Sequence, residues 1–296
     1  MKVARTPAEL ERRPRAVAIG TFDGVHLGHR AVVRAAVDAG PAPTVVTFDP
    51  HPRTVMGNQV ELISTLDRRL ELLAALGVEQ TLVVGFTPAL AGLAPEEFAE
   101  AYLDAIGAEV VAAGVDFRFG RRRSGDLALL EGLGFDVRPV PLVEGVSSTR
   151  IRQLAQEGDV AGAAQQLGRP VEVDGVVVAG DARGGTLGFP TANLRVDPDL
   201  LVPAHGIYAG GARDRHAAVS IGVNPHYGGT ERRIEAFLLD YEGDLYGQRL
   251  VVELWSRLRD EQVFASEEEL VAQIARDVEA TRAAVRPRVV DTPVRP

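Results

Sequence analysis

The first half of the chain alternates short apolar runs with amphipathic stretches. The apolar runs, rich in valine, are Ala16–Gly20, Thr44–Phe48, Thr81–Phe86, Glu109–Val115 and Asp136–Val140. Between them, apolar residues recur at helical spacing, as in the series Leu66, Leu70, Leu73 and Leu76. Apolar strands that alternate with amphipathic helices are typical of a parallel sheet covered on both faces. The pattern therefore predicts a Rossmann-like α/β domain.

Beyond Leu167 the chain changes to closely spaced apolar runs without helical stretches between them. The runs are Val171–Ala179, Ile207–Gly211, Ala217–Ile221, Ile234–Asp240 and Gln248–Trp255. Glu242-Gly243-Asp244 predicts a hairpin turn between the last two. Ser266 and Glu269 then form a capping box at the start of an amphipathic stretch. This half is predicted to be an antiparallel sheet or small barrel, closed by one helix.

The break at Gly168–Pro170 predicts two domains, residues 1–167 and residues 168–296. A chain of 296 residues is longer than one hydrophobic core usually organises. Each half holds enough apolar residues for a core of its own, so a fragment that begins near Gly168 is expected to fold by itself.

Composition narrows the chemistry. The chain has no cysteine, which excludes disulfides, thiol nucleophiles and cysteine-zinc sites. Lys2 is the only lysine, and we expect it to lie at a frayed terminus. A Walker A loop and a Schiff-base site both need a well-placed lysine. Any phosphate must therefore be met by arginine, histidine, backbone N–H groups or a metal.

The charge balance and hydropathy exclude further partners. The formal net charge is −9, which argues against sequence-independent binding of nucleic acid. No apolar run reaches the roughly 18 residues that a membrane helix needs, and residues 1–15 show no signal-peptide pattern. We therefore expect a cytoplasmic protein without a membrane partner. A homo-oligomer is compatible with the sequence.

The segment after the first predicted strand is the first candidate site. It reads Gly20-Thr21-Phe22-Asp23-Gly24-Val25-His26-Leu27-Gly28-His29 and opens a helical pattern. Glycines at such a turn let backbone approach a phosphate, and a helix N-terminus supplies free N–H groups. His26 and His29 face the same way in a first helical turn, where imidazoles can hydrogen-bond phosphate oxygens. A plain turn with surface histidines, or a metal site, has the same short pattern.

The full string resembles the HxGH signature of the nucleotidyltransferase superfamily, in the form found in bacterial bifunctional riboflavin kinase/FAD synthetases. Ser147–Arg152 follows the last predicted strand of this half and resembles the SSTxIR element of that family. By itself the segment is an ordinary helix cap, with hydroxyls and an arginine suited to phosphate. Thr47–Arg53 and Asp116–Gly120 also match family segments, the second near where the flavin is held.

A glycine-dense loop in the second half is the second candidate site. Gly180–Leu194 ends in Pro-Thr-Ala-Asn, whose hydroxyl and amide oxygens suit Mg²⁺. On composition alone a flexible loop is favoured, yet the string closely resembles the riboflavin kinase signature. Gly206–Gly210, Ser220–Pro225 and Ile234–Asp240 match the same family in order. Glu235 lies in the last of these, and period-2 alternation allows it on either face of its strand.

The resemblance runs from Val17 to Thr281 and implies two enzymes in one chain. An N-terminal Rossmann-like nucleotidyltransferase domain would precede a C-terminal antiparallel β-barrel domain with a closing helix. The barrel would phosphorylate riboflavin with ATP to give FMN, and the first domain would adenylylate FMN to give FAD and pyrophosphate. Two alternatives remain: a monofunctional riboflavin kinase, and a non-catalytic flavin-binding sensor.

The resemblance also implies residue roles. His26 and His29 would stabilise the ATP phosphates, and Glu235 would take the proton from the ribityl hydroxyl of riboflavin. Thr191 and Asn193 would bind Mg²⁺, which arrives with ATP. The positions implied to shape or contact the nucleotide sites are Gly20, Phe22, Asp23, Gly24, Asp116, Ser148, Thr149, Arg152, Gly188, Thr191 and Asn193.

Three positions depart from the family pattern. His226 stands where the family usually has threonine, Gly185 replaces a frequent arginine, and Phe237 stands where histidine is common. His226 adds a titratable group near the predicted kinase pocket. None of the three replaces an implied ligand or the implied base.

Overall fold

The computed structural model of the chain describes residues 1–180, 189–223 and 232–288. Its contacts divide these residues into two compact units. The first unit comprises Met1–Glu61 and Leu66–Val146. The second comprises Leu62–Thr65 and the described residues from Ser147 onward. No helix in the described part is long and apolar enough to cross a membrane.

The first unit is a parallel sheet of six strands in the order β1-β4-β3-β2-β5-β6. The strands are β1 (Lys2–Ala4), β2 (Arg15–Ile19), β3 (Thr44–Asp49), β4 (Gln80–Gly85), β5 (Ala108–Gly114) and β6 (Asp136–Val140). The helices are α1 (Leu27–Ala39), α2 (Pro52–Val55), α3 (Leu66–Ala75), α4 (Pro88–Ala91), α5 (Pro95–Phe98) and α6 (Leu127–Gly132). Helical turns of other types continue α5 through Ala99–Leu103 and Asp104–Ile106.

Successive residues of each central strand are buried on opposite faces of this sheet. In β2, Ala16 and Ala18 pack into the cluster that contains α1 and α3 residues, whereas Val17 and Ile19 pack into a second cluster on the other face. This two-sided burial explains why the strands read as continuous apolar runs. The predicted α/β architecture is confirmed.

The terminal strand β1 corrects one expectation. Lys2 is not in a frayed end, because it pairs in register with Gln80 of β4 and its ammonium donates to the Glu9 carbonyl. Three residues are too short to show a period, so the alternation of the sequence carries no signal for this strand. The strand extends the sheet at its edge.

The second unit is a closed barrel with the strand order β10-β11-β8-β7-β12-β9. Its strands are β7 (Val171–Val178), β8 (Ala192–Val196), β9 (Gly206–Ala212), β10 (Arg215–Val223), β11 (Arg232–Leu238) and β12 (Arg249–Arg259). All neighbouring pairs are antiparallel. Its helices are α7 (Ser148–Gln156), α8 (Val160–Leu167) and α9 (Glu267–Ala283). The predicted barrel with a closing helix is confirmed.

Barrel closure corrects the predicted hairpin. The turn at Glu242–Asp244 does not join neighbours, because β11 pairs with β10 and β8 while β12 pairs with β7 and β9. In the barrel, β8 and β7 lie between β11 and β12. The sequence prediction missed β8 because its residues overlap the Pro-Thr-Ala-Asn motif, which reads as a loop.

The helices α7 and α8 belong to the core of the barrel unit. Ile151, Leu154 and Leu167 are buried in the same apolar cluster as the inward-facing strand residues. The compact units therefore meet at 146/147, ahead of the predicted boundary at 167/168. The segment Leu62–Thr65 joins this unit too: Leu62 exchanges backbone hydrogen bonds with Asp199 and Leu201.

Candidate active sites

The glycine-rich loop of the first unit lies at the carboxyl end of β2. Strands β3 and β4 are added on one side of β2, and β5 and β6 on the other. In open α/β sheets, ligands bind at the carboxyl ends of the strands where the order reverses in this way. The topology thus brings the motif predicted from sequence to the place where such sheets bind nucleotides.

The backbone of this loop is held in an uncommon conformation. Phe22, Gly24 and Val25 have φ values of 50°, 78° and 41°, in a region that costs energy for residues with a Cβ atom. Hydrogen bonds to β3 hold the loop: the Gly20 N–H donates to Val46 at 3.1 Å, and the Thr47 hydroxyl donates to the Thr21 carbonyl at 2.9 Å. These hydrogen bonds fix the loop against β3.

The two histidines lie at the start of α1, as predicted. His26 is the N-cap of α1, and its Nδ1 accepts from the His29 N–H at 3.3 Å. The two rings stack with centroids 3.5 Å apart, and the Phe22 ring meets His29 edge-on at 5.4 Å. Gly28 permits this arrangement, because a Cβ atom there would lie 3.3 Å from the His26 ring.

This geometry defines what the histidines can do. Since Nδ1 of His26 accepts a hydrogen bond, the neutral ring carries its proton on Nε2, which is then a donor. A donor at a helix N-terminus is placed to stabilise negative charge on an approaching phosphate. Within the loop, Phe22 and Asp23 are both buried. Gly20 packs closely against the Phe22 ring, because a Cβ atom there would lie 3.1 Å from it.

Aromatic side chains gather near the carboxyl ends of β3 and β5. Phe117 and Phe119 stack at 5.5 Å, Phe119 contacts Phe98 at 5.7 Å, and Phe98 contacts Phe48 at 6.3 Å. Asp116 is exposed and lies two residues after the end of β5. Apolar rings beside a polar loop are typical of ligand pockets, and the flavin site predicted from the sequence at Asp116–Gly120 stays a prediction.

The Ser147–Arg152 segment starts helix α7, as predicted, but it packs with the barrel unit. Ser147 is the N-cap, and its hydroxyl accepts from the Arg150 N–H at 3.1 Å. Ser148 and Arg152 are half-buried and Thr149 is exposed, so the first turn presents hydroxyls and a guanidinium. The sequence predicts this segment as part of the first domain, and in the structure Ile151 is buried in the apolar cluster of the barrel unit.

The barrel brings Asn193 and Glu235 together by strand register. They are directly opposite each other on β8 and β11, and Ser220 of β10 is opposite Glu235 on the other side. Ile234 and Ala236 are buried in the barrel core, so Glu235 lies on the outer face. Sequence alternation left that choice open. Directly opposite residues have neighbouring side chains, so amide, carboxylate and hydroxyl form one polar row.

The backbone of Gly180 lies directly under the Asn193 side chain. A Cβ atom at Gly180 would be 2.2 Å from Nδ2 of Asn193, so only glycine leaves the amide its place. Thr191 is half-buried just before β8. Gly188, predicted in the same loop, and His226 and Gly185 lie outside the described residues. Phe237, the third departure, meets Phe189 edge-on at 5.5 Å.

The oxygen atoms of Thr191, Asn193 and Glu235 are of the kind that suits a hard cation. A threonine hydroxyl, an amide oxygen and a carboxylate are ligands that Mg²⁺ accepts together with phosphate oxygens. Among the described residues, no group of three or more His, Cys, Asp or Glu is arranged to hold a metal ion.

Two arginines near the sites were missed in the sequence prediction. Arg233 donates to Glu235 at 2.7 Å, and the alternation of β11, which puts both on one face, was the available signal. Arg69 of α3 is 1% exposed and donates to the Phe48 carbonyl at 3.0 Å. It stands four residues before Leu73, inside the apolar stripe of its helix, which was its signal.

Comparisons with known proteins cover both units. A family model described as FAD synthetase matches residues 8–153, and one described as riboflavin kinase matches residues 167–285. A bifunctional riboflavin kinase/FMN adenylyltransferase of Listeria monocytogenes is 38% identical over 286 residues, spanning 90% of this chain and 91% of the relative. The Escherichia coli K12 protein so described is 35% identical, spanning 94% and 96%.

A solved structure resembles nearly the whole chain. It is the crystal structure of a protein described as a macrolide-efflux protein from Streptococcus pneumoniae. The TM-score is 0.85 at 32% sequence identity, and the match covers 96% of this chain and 99% of that protein. Both units of this fold are therefore found together in a single crystallised chain.

Proposed function

The chain belongs to the family of bifunctional riboflavin kinase/FMN adenylyltransferases, and from this premise we propose how its residues divide the work. It phosphorylates riboflavin to FMN and adenylylates FMN to FAD. Both family domains are present in one chain, which supports this bifunctional reading over a kinase alone or a flavin sensor.

We propose that adenylyl transfer takes place at the carboxyl end of β2. A phosphate oxygen of FMN attacks the α-phosphorus of ATP, and pyrophosphate leaves. His26 and His29 donate to phosphate oxygens that gain charge as the bond to pyrophosphate breaks. Gly20, Phe22, Asp23 and Gly24 hold the loop in place, and Asp116 lies at the flavin side. Ser148, Thr149 and Arg152 are assigned to an ATP phosphate clamp on the strength of their motif.

We propose that riboflavin phosphorylation takes place on the outer face of β8 and β11. Glu235 takes the proton of the ribityl hydroxyl, the freed oxygen attacks the γ-phosphorus of ATP, and ADP leaves. The observation that carries this assignment is the register of Glu235 with Asn193. Arg233 donates a hydrogen bond to this carboxylate at 2.7 Å.

We propose that Thr191 and Asn193 hold Mg²⁺, which arrives with ATP. The ion would neutralise phosphate charge during transfer. Gly188 belongs to the same loop by its motif. The proposed partners are thus riboflavin, FMN and Mg²⁺-ATP, without nucleic acid. We also propose a cytoplasmic location.

The two-site assignment is tested with two variants and one chromatogram. Glu235→Gln keeps the size of the side chain but removes the proton acceptor, so FMN formation should fall by about 100- to 10,000-fold. FAD formation from supplied FMN should be unchanged. His29→Ala should lower FAD formation by about 100- to 1,000-fold, while FMN accumulates.

The controls are matched by residue type. Glu279→Gln, on the exposed face of α9, and His205→Ala, at an exposed position of the barrel unit, should leave both activities within about twofold. The assignment is wrong if Glu235→Gln stops FAD synthesis from supplied FMN. It is equally wrong if His29→Ala still makes FAD at the parent rate.

A further inference from the structure

Arg69 is a buried cation with few partners. Its side chain lies on α3 and is 1% exposed, and its Nη1 donates a hydrogen bond to the Phe48 carbonyl. Within the described residues, Nε of Arg69 has no hydrogen-bond partner. A guanidinium carries five N–H donors. Burying such donors without hydrogen-bond acceptors costs free energy. Packing alone therefore gives no reason for arginine here.

Arg15 shows what a structural arginine looks like in the same unit. It is fully buried at the start of β2 and donates to the Ile106 carbonyl at 2.7 Å, the Gln80 side chain at 2.7 Å and the Glu11 carbonyl at 2.5 Å. Burial lowers the pKa of both guanidiniums. The two arginines lie at opposite ends of the strands: Arg15 at the amino end, where its donors are used, and Arg69 at the carboxyl end.

The surroundings of Arg69 connect it to the proposed adenylyl-transfer loop. Its electrostatic partners are Asp23, buried in that loop, and Asp49, the last residue of β3. Along β3, Val46 accepts from the Gly20 N–H and Thr47 donates to Thr21, so consecutive residues hold the loop. Phe48, the next residue, holds Arg69. The end of β3 therefore bonds the loop and the cation side by side.

We propose that Arg69 is a positioning residue for adenylyl transfer, which fixes Asp23 and the end of β3 and thereby holds the loop that carries His26. The inference rests on the proposed function of that loop. A buried carboxylate needs a cation near it, because an isolated buried charge is unstable. Arg69 supplies that charge, since Asp23 and Asp49 act on it electrostatically. Because Arg69 is only 1% exposed, its proposed effect on the histidines passes through the loop.

The test compares methionine and lysine variants at Arg69 and Arg15 in the full chain. Arg69→Met should lower kcat for FAD formation by about 100-fold, since a displacement of about 1 Å in a site has this effect. The KM for ATP in FAD formation should stay within about twofold of the parent value. The rate of FMN formation should also stay within about twofold. Arg69→Lys keeps the charge without the planar fork and should lose only about tenfold. The Arg15 variants should lower the thermal midpoint and leave the kcat of folded enzyme within about twofold.

The coupling between Arg69 and Asp23 gives a second readout. If Arg69 acts through Asp23, the double variant Asp23→Asn/Arg69→Met loses no more than the worse single variant. Two losses that multiply would overturn the proposal. So would an Arg69→Met enzyme that is folded, makes FMN and keeps the FAD kcat of the Arg15→Met enzyme, or one that changes only KM for ATP.

Two further comparisons cover a methionine variant that does not fold and a failure of the proposed function itself. If a methionine variant does not fold, the lysine pair decides by the same criterion: a tenfold loss at Arg69 with none at Arg15. His29→Ala, assayed in parallel, separates the two levels of inference. If the His29→Ala enzyme keeps FAD formation, the proposed function itself fails. If FAD formation is lost in that enzyme while the Arg69 variants match their Arg15 controls, only the positioning role of Arg69 fails.

Discussion

The two units build their candidate sites in opposite ways. In the first unit, Phe22, Asp23, His26 and His29 come from one continuous loop at a strand end and a helix N-terminus. In the barrel, Asn193 and Glu235 come from different strands and meet through β-register. One site depends on local backbone conformation, and the other depends on which strands pair.

This difference predicts how each site responds to change. At the loop site, a Cβ atom added at Gly28 would meet only the side chain of His26, and a side chain can shift without moving the backbone. A row of side chains across strands has no such freedom, since shifting the register by one residue moves every side chain to the other face. Perturbing a neighbour should therefore damage the barrel site more.

The largest effect is expected from cutting the chain at two different places. A fragment from Ser147 keeps α7 and α8, whereas one from Gly168 loses the buried side chains Ile151, Leu154 and Leu167. Removing one such side chain costs about 2–5 kcal/mol. Both fragments are expected to make FMN. The free energy of unfolding of the longer fragment should exceed that of the shorter one by at least about 2–5 kcal/mol.

Urea titrations followed by circular dichroism measure that difference, with FMN formation as the functional control. Equal midpoints and equal slopes for the two fragments would show that α7 and α8 add nothing to the barrel. The boundary at 167/168 predicted from the sequence would then also be the boundary in stability.

A smaller effect is expected from alanine at one glycine of each site. Gly180→Ala places a Cβ atom 2.2 Å from the Asn193 amide, so the amide must move, and FMN formation should fall by about 10- to 100-fold. Gly28→Ala brings a Cβ atom to only 3.3 Å from His26, and alanine favours the helix. FAD formation should fall less than about tenfold.

Steady-state assays of both products in both variants test this contrast, and each variant's other activity serves as its control. The comparison between the sites breaks if Gly28→Ala is the more damaging change. A variant that loses both activities has instead changed the folding of the chain.

The smallest effect is expected at the end of α9. Arg282 donates to Asp240 at 2.7 Å, and this hydrogen bond lowers the pKa of Asp240. Asp240→Asn tolerates the φ of 56° there, and it should lower Tm at neutral pH by no more than about 2 °C, because the pair is exposed.

The pH dependence of that effect has a definite sign. The pKa of Asp240 is lower in the folded state than in the unfolded state, so the pair stabilises the folded state at pH values above the unfolded-state pKa. This stabilisation is lost as the pH falls through the folded-state pKa. The Tm difference between parent and Asp240→Asn should therefore vanish in acid. Glu242→Gln, which removes an exposed charge nearby, serves as the control and should show no such trend.

Much of the first site could be predicted because its information is local. The turn, the helix cap and both histidines lie within the ten residues from Gly20 to His29. The sequence pattern therefore predicts that the two histidines lie at the start of a helix. The same local logic failed for Arg69, since an arginine inside an apolar stripe is ordinarily interpreted as a surface residue. Its burial depends on β3 and the loop, which are distant in sequence.

The barrel site shows where prediction stopped. Alternation correctly placed residues of β11 on two faces, but it left open which face holds Glu235. Barrel closure decided this, because Ile234 and Ala236 fill the interior. The hairpin at Glu242–Asp244 was wrong for the same reason: strand neighbours are chosen by closure of the whole sheet.

The sequence by itself determined the two architectures, the continuous motif at β2, the chemistry available without cysteine and the resemblance to a bifunctional family. Those features reside in composition and in patterns a few residues long. Only the tertiary structure decided that α7 joins the barrel core, that Asn193 pairs with Glu235 and that Arg69 is buried against the end of β3. Each of these depends on contacts between segments far apart in the chain, whose partners are selected by burial of the complete core.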